Sequence, residues 1–256
     1  MQPMNKTENS PMDINTPLHT PEAVTVTDLS IAYRNNVALR HAHLRVPPGS
    51  VFGIVGPNGA GKSTMLNGIL GLIPVLHGDV RFFGEPLHKT RERVGYMPQN
   101  TSVDWDFPTT VRDVVLMGTY QRLGWFRRPG SAEKELAFAA MERTGVADLA
   151  SRQIGQLSGG QRQRVFLART LAQQADIVLL DEPFAGVDAR TQTAIVDVLH
   201  GLRDEGKTVV MVHHDLGTIP DYCDHVALLN GTVLAAGPVE STFTDENIAL
   251  TFQRQP

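Results

Sequence analysis

Apolar and polar residues alternate with period two across residues 24–33, and again across 37–46. That spacing puts successive side chains on opposite faces and predicts two half-buried antiparallel strands. Residues 49–56 form a short apolar run that ends in glycine, and 62–72 follow with helical spacing. Further strands are predicted over 78–84 and 93–99. The texture then changes. Residues 110–123, 131–146 and 160–174 each carry apolar positions at helical intervals. Ser131 is expected to cap the second of these helices and Gly145 to stop it. Beyond them, 176–183 begins with a continuous apolar run, the mark of a strand buried on both faces of a parallel sheet. Residues 189–206 predict a helix, 208–215 another buried strand, and 225–237 a hairpin turning at Asn230-Gly231. Strand–helix alternation flanking a helical middle predicts an α/β fold. The expected organisation is a tail over 1–21 and one domain over 22–256, with a core (22–100 and 176–256) and a helical subdomain (101–175). The tail is read as disordered because four prolines stand there among polar residues.

Composition narrows the class without naming it. The chain has 256 residues, 41% of them hydrophobic and 20% charged, with a net charge of -4. This balance gives nucleic acid no basis as the main partner. Arg91-Glu92-Arg93 and Arg127-Arg128 read as solvated surface. The one cysteine, Cys223, has no internal disulfide partner and no nucleophile context, which fits a reducing setting. No apolar run is long enough to span a bilayer, and the N-terminus lacks a signal pattern, so membrane association would have to come through a partner.

The chemistry concentrates in three places. Gly56-Pro57-Asn58-Gly59-Ala60-Gly61-Lys62-Ser63-Thr64 matches the phosphate-binding loop, G-x-x-x-x-G-K-[ST], and lies between a predicted strand and a predicted helix. Glycines there let backbone N–H groups wrap a phosphate. Lys62 would reach the β- and γ-phosphates, and the Ser63 hydroxyl would ligate Mg²⁺. At the end of the buried strand 176–183, Asp181 is the candidate Mg²⁺ partner and Glu182 the candidate base for the attacking water. Third, Ser158-Gly159-Gly160 opens a helix, where free N–H groups and the dipole favour an anion. A second cradle in a chain that already holds its phosphate is useful if it closes over the nucleotide of another copy, as two-fold pairing allows. The alternative is a glycine-rich helix start without a ligand.

Histidines offer two further patterns. His213 and His214 should point to opposite faces at a strand end, so they cannot easily share one ion. His41 and His43 share a face and resemble a metal pair. No third ligand stands near them in sequence, which predicts ordinary surface histidines.

The order of these motifs, with Leu157 to Gln161 reading Leu-Ser-Gly-Gly-Gln and 178–183 reading Val-Leu-Leu-Asp-Glu-Pro, resembles the ATP-binding cassette (ABC) family of transporter ATPases over roughly residues 22–240. The resemblance implies the ABC ATPase fold, a P-loop NTPase core of mixed sheet with an antiparallel β subdomain plus a helical subdomain. It implies ATP and Mg as ligands, hydrolysis, and two cassettes clamped head to tail. By position, Tyr33 would stack on adenine. Gln99 would link metal and water to the helical lobe. Asp188, in Ala-Gly-Val-Asp where the family commonly has small-Ala-Leu-Asp, would contact the opposite cassette. His214 would hydrogen-bond the γ-phosphate, leaving His213 at a position commonly held by threonine. Gln161 completes the signature loop that faces the partner's nucleotide.

The segment after Gln99 carries Trp105, Phe107, Trp125 and Phe126 around the first helix of that lobe. Such aromatics suit an interface or the packing of a small lobe. Residues 103–108, 111–118 and 124–129, with 151–155 and 181–188, resemble cassettes of manganese-, zinc- and iron-type importers. That implies a separate integral-membrane permease, an extracellular metal-binding protein, a place at the cytoplasmic face of the membrane, and manganese as first cargo with zinc or iron next. The alternatives are another solute such as an iron chelate, and a soluble ABC protein outside transport.

Overall fold

The computed structural model describes residues 21–33, 36–99, 107–123 and 127–253. The tail expected over 1–21 falls, apart from Pro21, outside the described residues, as do Trp105, Trp125 and Phe126. In chain order the strands are β1 (Val24–Tyr33), β2 (Asn36–Val46), β3 (Val51–Val55), β4 (His77–Phe82), β5 (Val94–Met97), β6 (Ile177–Asp181), β7 (Thr208–His213), β8 (His225–Leu229) and β9 (Val233–Pro238). The α-helices are α1 (Lys62–Ile69), α2 (Leu87–Thr90), α3 (Val111–Met117), α4 (Tyr120–Leu123), α5 (Ser131–Arg143), α6 (Gly159–Leu171), α7 (Ala189–Asp204), α8 (Ile219–Tyr222), α9 (Val239–Thr242) and α10 (Asp245–Phe252).

Two sheets organise these elements. β2, β1 and β4 form a three-stranded antiparallel sheet in that order. The larger sheet runs β5-β6-β7-β3-β8-β9. It is parallel from β5 to β8, and β9 returns antiparallel as the far arm of the hairpin. The turn falls where expected, with Gly231 at φ 69°. The continuous apolar runs are explained by burial on both faces. Val51 and Val55 of β3, with Leu180 of β6 and Met211 of β7, pack under α3, α5, α6 and α7. Phe52 and Ile54 point the other way, with Leu179 and Val210, and meet α1 and the antiparallel sheet. The result is three layers, with the large sheet in the middle.

Close fit joins α1 to the small sheet. A Cβ on Gly68 would overlap Cδ1 of Ile31, so a larger residue there would have to displace the Ile31 side chain on β1. Leu29 and Ile31 are fully buried beneath it.

The structure departs from local expectations in two places. The helix predicted over 110–123 is two pieces, α3 and α4, broken at Gly118-Thr119. Thr119 is buried, and its hydroxyl donates to Leu116 O at 2.8 Å, an alternative to continuing the helix. The helix predicted over 131–146 is capped by Gly130 rather than Ser131: Glu133 reaches back and accepts the Gly130 N–H at 2.7 Å. Its stop is Gly145, at φ 63°. His41 lies exposed on the surface as expected, and folding brings Asp28 and His77 beside it. No helix among the described residues is long and apolar enough to cross a membrane.

Candidate active site

In the parallel part of the sheet, the carboxyl ends of β3, β5, β6 and β7 lie along one edge. The chain leaves β3 directly into residues 56–61, leaves β5 toward Gln99, leaves β6 at Asp181 and leaves β7 at His213. Ligands of such sheets bind outside this edge. The register places Asp181 opposite Val212, and Val55 opposite His213. Residues far apart in sequence thus meet because their strands end together.

The loop folds as the motif requires. Gly61, just before α1, sits at φ 97°, a left-handed conformation that a side chain would strain. Lys62 is buried, and its ammonium donates to Gly56 O at 2.8 Å and Pro57 O at 2.9 Å. Burial pushes its pKa down, while Glu182 and Asp181 act the other way. Ser63 donates to Asp181 Oδ1 at 3.0 Å. Asp181 is 3% exposed, and burial raises its pKa against the opposing Ser63 hydrogen bond. A hydroxyl beside a buried carboxylate is the hard oxygen pair that Mg²⁺ takes, so these donors fit that ion.

Glu182 follows in a left-handed backbone conformation, φ 53°, uncommon for a residue with a side chain. Its carboxylate accepts from Gln99 Nε2 at 2.8 Å. Its main-chain carbonyl accepts from Gln163 Nε2 at 3.0 Å. Gln163 was not singled out from the sequence. Its signal was a glutamine on the buried face of α6, where only 1% of it is exposed. Tyr33, Asn58 to Thr64 and Glu182 line one cavity. Tyr33 stands at its rim, 48% exposed.

A second cavity is lined by Ser158, Gly159, Gly160, Gln161 and Asp188, with Thr191 among the others. Ser158 and Gln161 form a capping box: Ser158 N–H donates to Gln161 Oε1 at 2.9 Å, and Gln161 N–H donates to Ser158 Oγ at 3.4 Å. Asp188 caps α7, accepting Thr191 N–H at 2.8 Å, which holds its carboxyl below the usual range. A Cβ on Gly160 would lie 3.1 Å from Thr191 Oγ1, so packing between α6 and α7 is itself a reason for glycine there. The structure therefore gathers most of the predicted residues into two groups on one chain, not one, and leaves His214 outside the lining of both cavities.

The two histidines diverge as alternation requires. His213 is buried, with Nε2 2.7 Å from Thr218 Oγ1 and its ring edge-on to Phe184 at 5.1 Å. Burial pushes its pKa down to about 4, so it is neutral. His214 is exposed just past the strand. Cys223 is buried, and burial lifts its thiol to about 12, which leaves no thiolate for nucleophilic work.

Comparison with known proteins gives a consistent picture. A family model described as ABC transporter matches residues 39–185. The chain is 55% identical over 226 residues to the zinc transport system ATP-binding protein TroB of Treponema pallidum, covering 88% of this chain and 85% of that one. It is 52% identical over 229 residues to the manganese transport system ATP-binding protein MntB of Bacillus subtilis, covering 90% and 92%. The solved structure of cbiO1 from Clostridium perfringens, part of the ABC transporter complex cbiONQ, superposes with a TM-score of 0.76 at 27% identity, covering 90% of this chain and 94% of that one.

Proposed function

The chain belongs to the ABC transporter family, and from that premise we propose that it is the ATP-hydrolysing subunit of an importer for divalent metal ions. The observation that carries this reading is the high identity, over nearly the whole chain, to ATP-binding proteins of zinc and manganese transport systems. Manganese and zinc are the leading cargoes, with iron next.

Each group at the carboxyl edge then takes a role. Tyr33 stacks on adenine. The N–H groups of 56–64 and the Lys62 ammonium hold the β- and γ-phosphates, where the ammonium exchanges two loop carbonyls for phosphate oxygens. Ser63 and Asp181 would hold Mg²⁺, which would supply charge neutralisation on the phosphate oxygens. Glu182 takes the proton of the attacking water. Gln99, bonded to Glu182 at 2.8 Å, positions that carboxylate, and His214 meets the γ-phosphate. Ser158, Gly159, Gly160, Gln161 and Asp188 act on the nucleotide of a second cassette. Their separation from the first cavity within one chain supports a head-to-tail pair in which each copy completes the other's site.

Residues 101–175 form the lobe that meets the permease. Support comes from Phe107, Met117 and Tyr120, whose exposures of 57%, 39% and 49% leave apolar surface on that lobe. The cargo reading is tested by deleting the gene and measuring cellular manganese, zinc and iron. A fall in manganese or zinc, restored by the intact gene and not by a Glu182→Gln copy, is the expected result. Unchanged content of all three overturns import.

A further inference from the structure

The small antiparallel sheet carries its own cluster of metal-ligating groups, and none of them belongs to the carboxyl edge. β1 lies between β2 and β4, and each strand contributes one residue: Asp28, His41 and His77. Their three donor atoms lie within 4.8 Å of one another. His41 Nδ1 is 2.7 Å from Asp28 Oδ1, and His77 Nε2 is 3.7 Å from Asp28 Oδ2. The two imidazole rings lie with centroids 5.3 Å apart, tilted 47° to each other.

The backbone is bent to make this meeting. Pairing of β1 with β2 shifts register between Val26 and Leu29, and pairing with β4 shifts between Thr27 and Ser30. Asp28 and His41 both adopt left-handed conformations, at φ 53° and 45°. Irregularities of this kind re-aim side chains. Leu29 and Ala42 beside them are buried, so the cluster stands on the solvent side of the sheet. An ion can reach it without any opening of the fold.

Three protein ligands plus an open position is a pattern zinc accepts, with donor–donor separations of about 3.3 Å following from bonds near 2.0 Å in a tetrahedron. The 2.7 Å contact is a hydrogen bond to one carboxylate oxygen and the 3.7 Å contact reaches the other oxygen, so the three groups, all within 4.8 Å of one another, come to that spacing by side-chain rotation. Two imidazoles with one carboxylate favour an ion of the zinc class, whereas Mg²⁺, Ca²⁺ and Mn²⁺ favour all-oxygen sets. His43 Nδ1 accepts the Asp28 N–H at 3.4 Å and so braces the ligand that all three strands share.

We propose that Asp28, His41 and His77 bind one zinc-class divalent ion, tying β2, β1 and β4 together. The site stands independently of the transport reading, since no residue in it holds nucleotide.

The test uses the full, untagged chain, stripped of metal and free of nucleotide. Zinc is titrated in competition with a chromophoric chelator, and thermal unfolding is followed in parallel. One zinc per chain and a raised Tm are expected. Asp28→Asn, and the double change His41→Ala with His77→Ala, should weaken binding by at least about tenfold and abolish the Tm rise. ATPase activity in magnesium should persist in these variants, which shows that they fold. Ser63→Ala should still bind zinc. Absence of zinc binding by the unaltered chain, or binding undiminished in both sets of variants, overturns the site. Equal competition by manganese overturns the zinc-class assignment.

Discussion

The two cavities of the proposed ATPase site are built in opposite ways. At the phosphate loop, the defining contacts join distant parts of the chain: Ser63 meets Asp181, and Gln99 meets Glu182. Lys62 and Asp181 are buried, and both are paired within the chain. At the second cavity the contacts are local. Ser158 pairs with Gln161 and Asp188 with Thr191, each three residues away, and these groups remain open to solvent. A cavity wired by the tertiary fold is organised before anything binds. A cavity whose polar groups are held by helix caps is a well-formed surface without a completed pocket. That contrast is what a site shared between two copies leads one to expect, with one half a rigid receptacle and the other a clamp.

The largest expected effect is on the receptacle. Glu182→Gln should lower turnover by about 10²–10⁴-fold while keeping ATP affinity. With ATP it should collect as a dimer in gel filtration, and a normal rate would remove Glu182 as the base. Lys62→Ala should lose about 10²–10³-fold in turnover by removing a charge aimed at the phosphates, measured by phosphate release. The comparison itself is tested by mixing. Lys62→Ala and Ser158→Glu chains should each be inactive alone, and together should recover activity, because a mixed pair holds one intact receptacle facing one intact clamp. No recovery in proven mixed dimers would break the contrast.

Smaller effects concern the fold beneath the site. His213 titrates near 4 in the folded chain and about 6.5 when unfolded. Below 6.5 the unfolded state therefore binds more protons, and stability falls as pH drops from about 6.5 toward 4. The full penalty is of order 3 kcal/mol. His213→Thr should flatten this part of the pH dependence of the urea midpoint, even if it lowers stability overall. The smallest effect is at the clamp. Ser158→Ala removes a helix cap worth about 1 kcal/mol, which denaturant titration can read.

Most of the candidate site was legible because its motifs are contiguous. The phosphate loop, the Asp181-Glu182 pair and the Ser158 helix start each carry their chemistry within a few residues, beside strands or helices whose periodicity is strong. Strand pairing across sequence was not legible. Nothing near His41 announces that β4 returns to the far side of β1 and brings His77 with it. Gln163 was hidden for another reason: one polar residue in a helical pattern looks like noise until its partner, a backbone carbonyl, is known. The break at Gly118-Thr119 also escaped, since a buried threonine turning onto its own backbone leaves the apolar spacing intact.

Gln163 belongs to α6, whose first turn is the proposed clamp, and it donates to the carbonyl of Glu182, the proposed base, in the same subunit. In the proposed pair, one subunit's grip on its neighbour's nucleotide and its attack on its own would share a single strut. The two hydrolysis events would then be cooperative rather than independent, and loosening that strut with Gln163→Ala should flatten the dependence of rate on ATP concentration toward a Hill coefficient of about one.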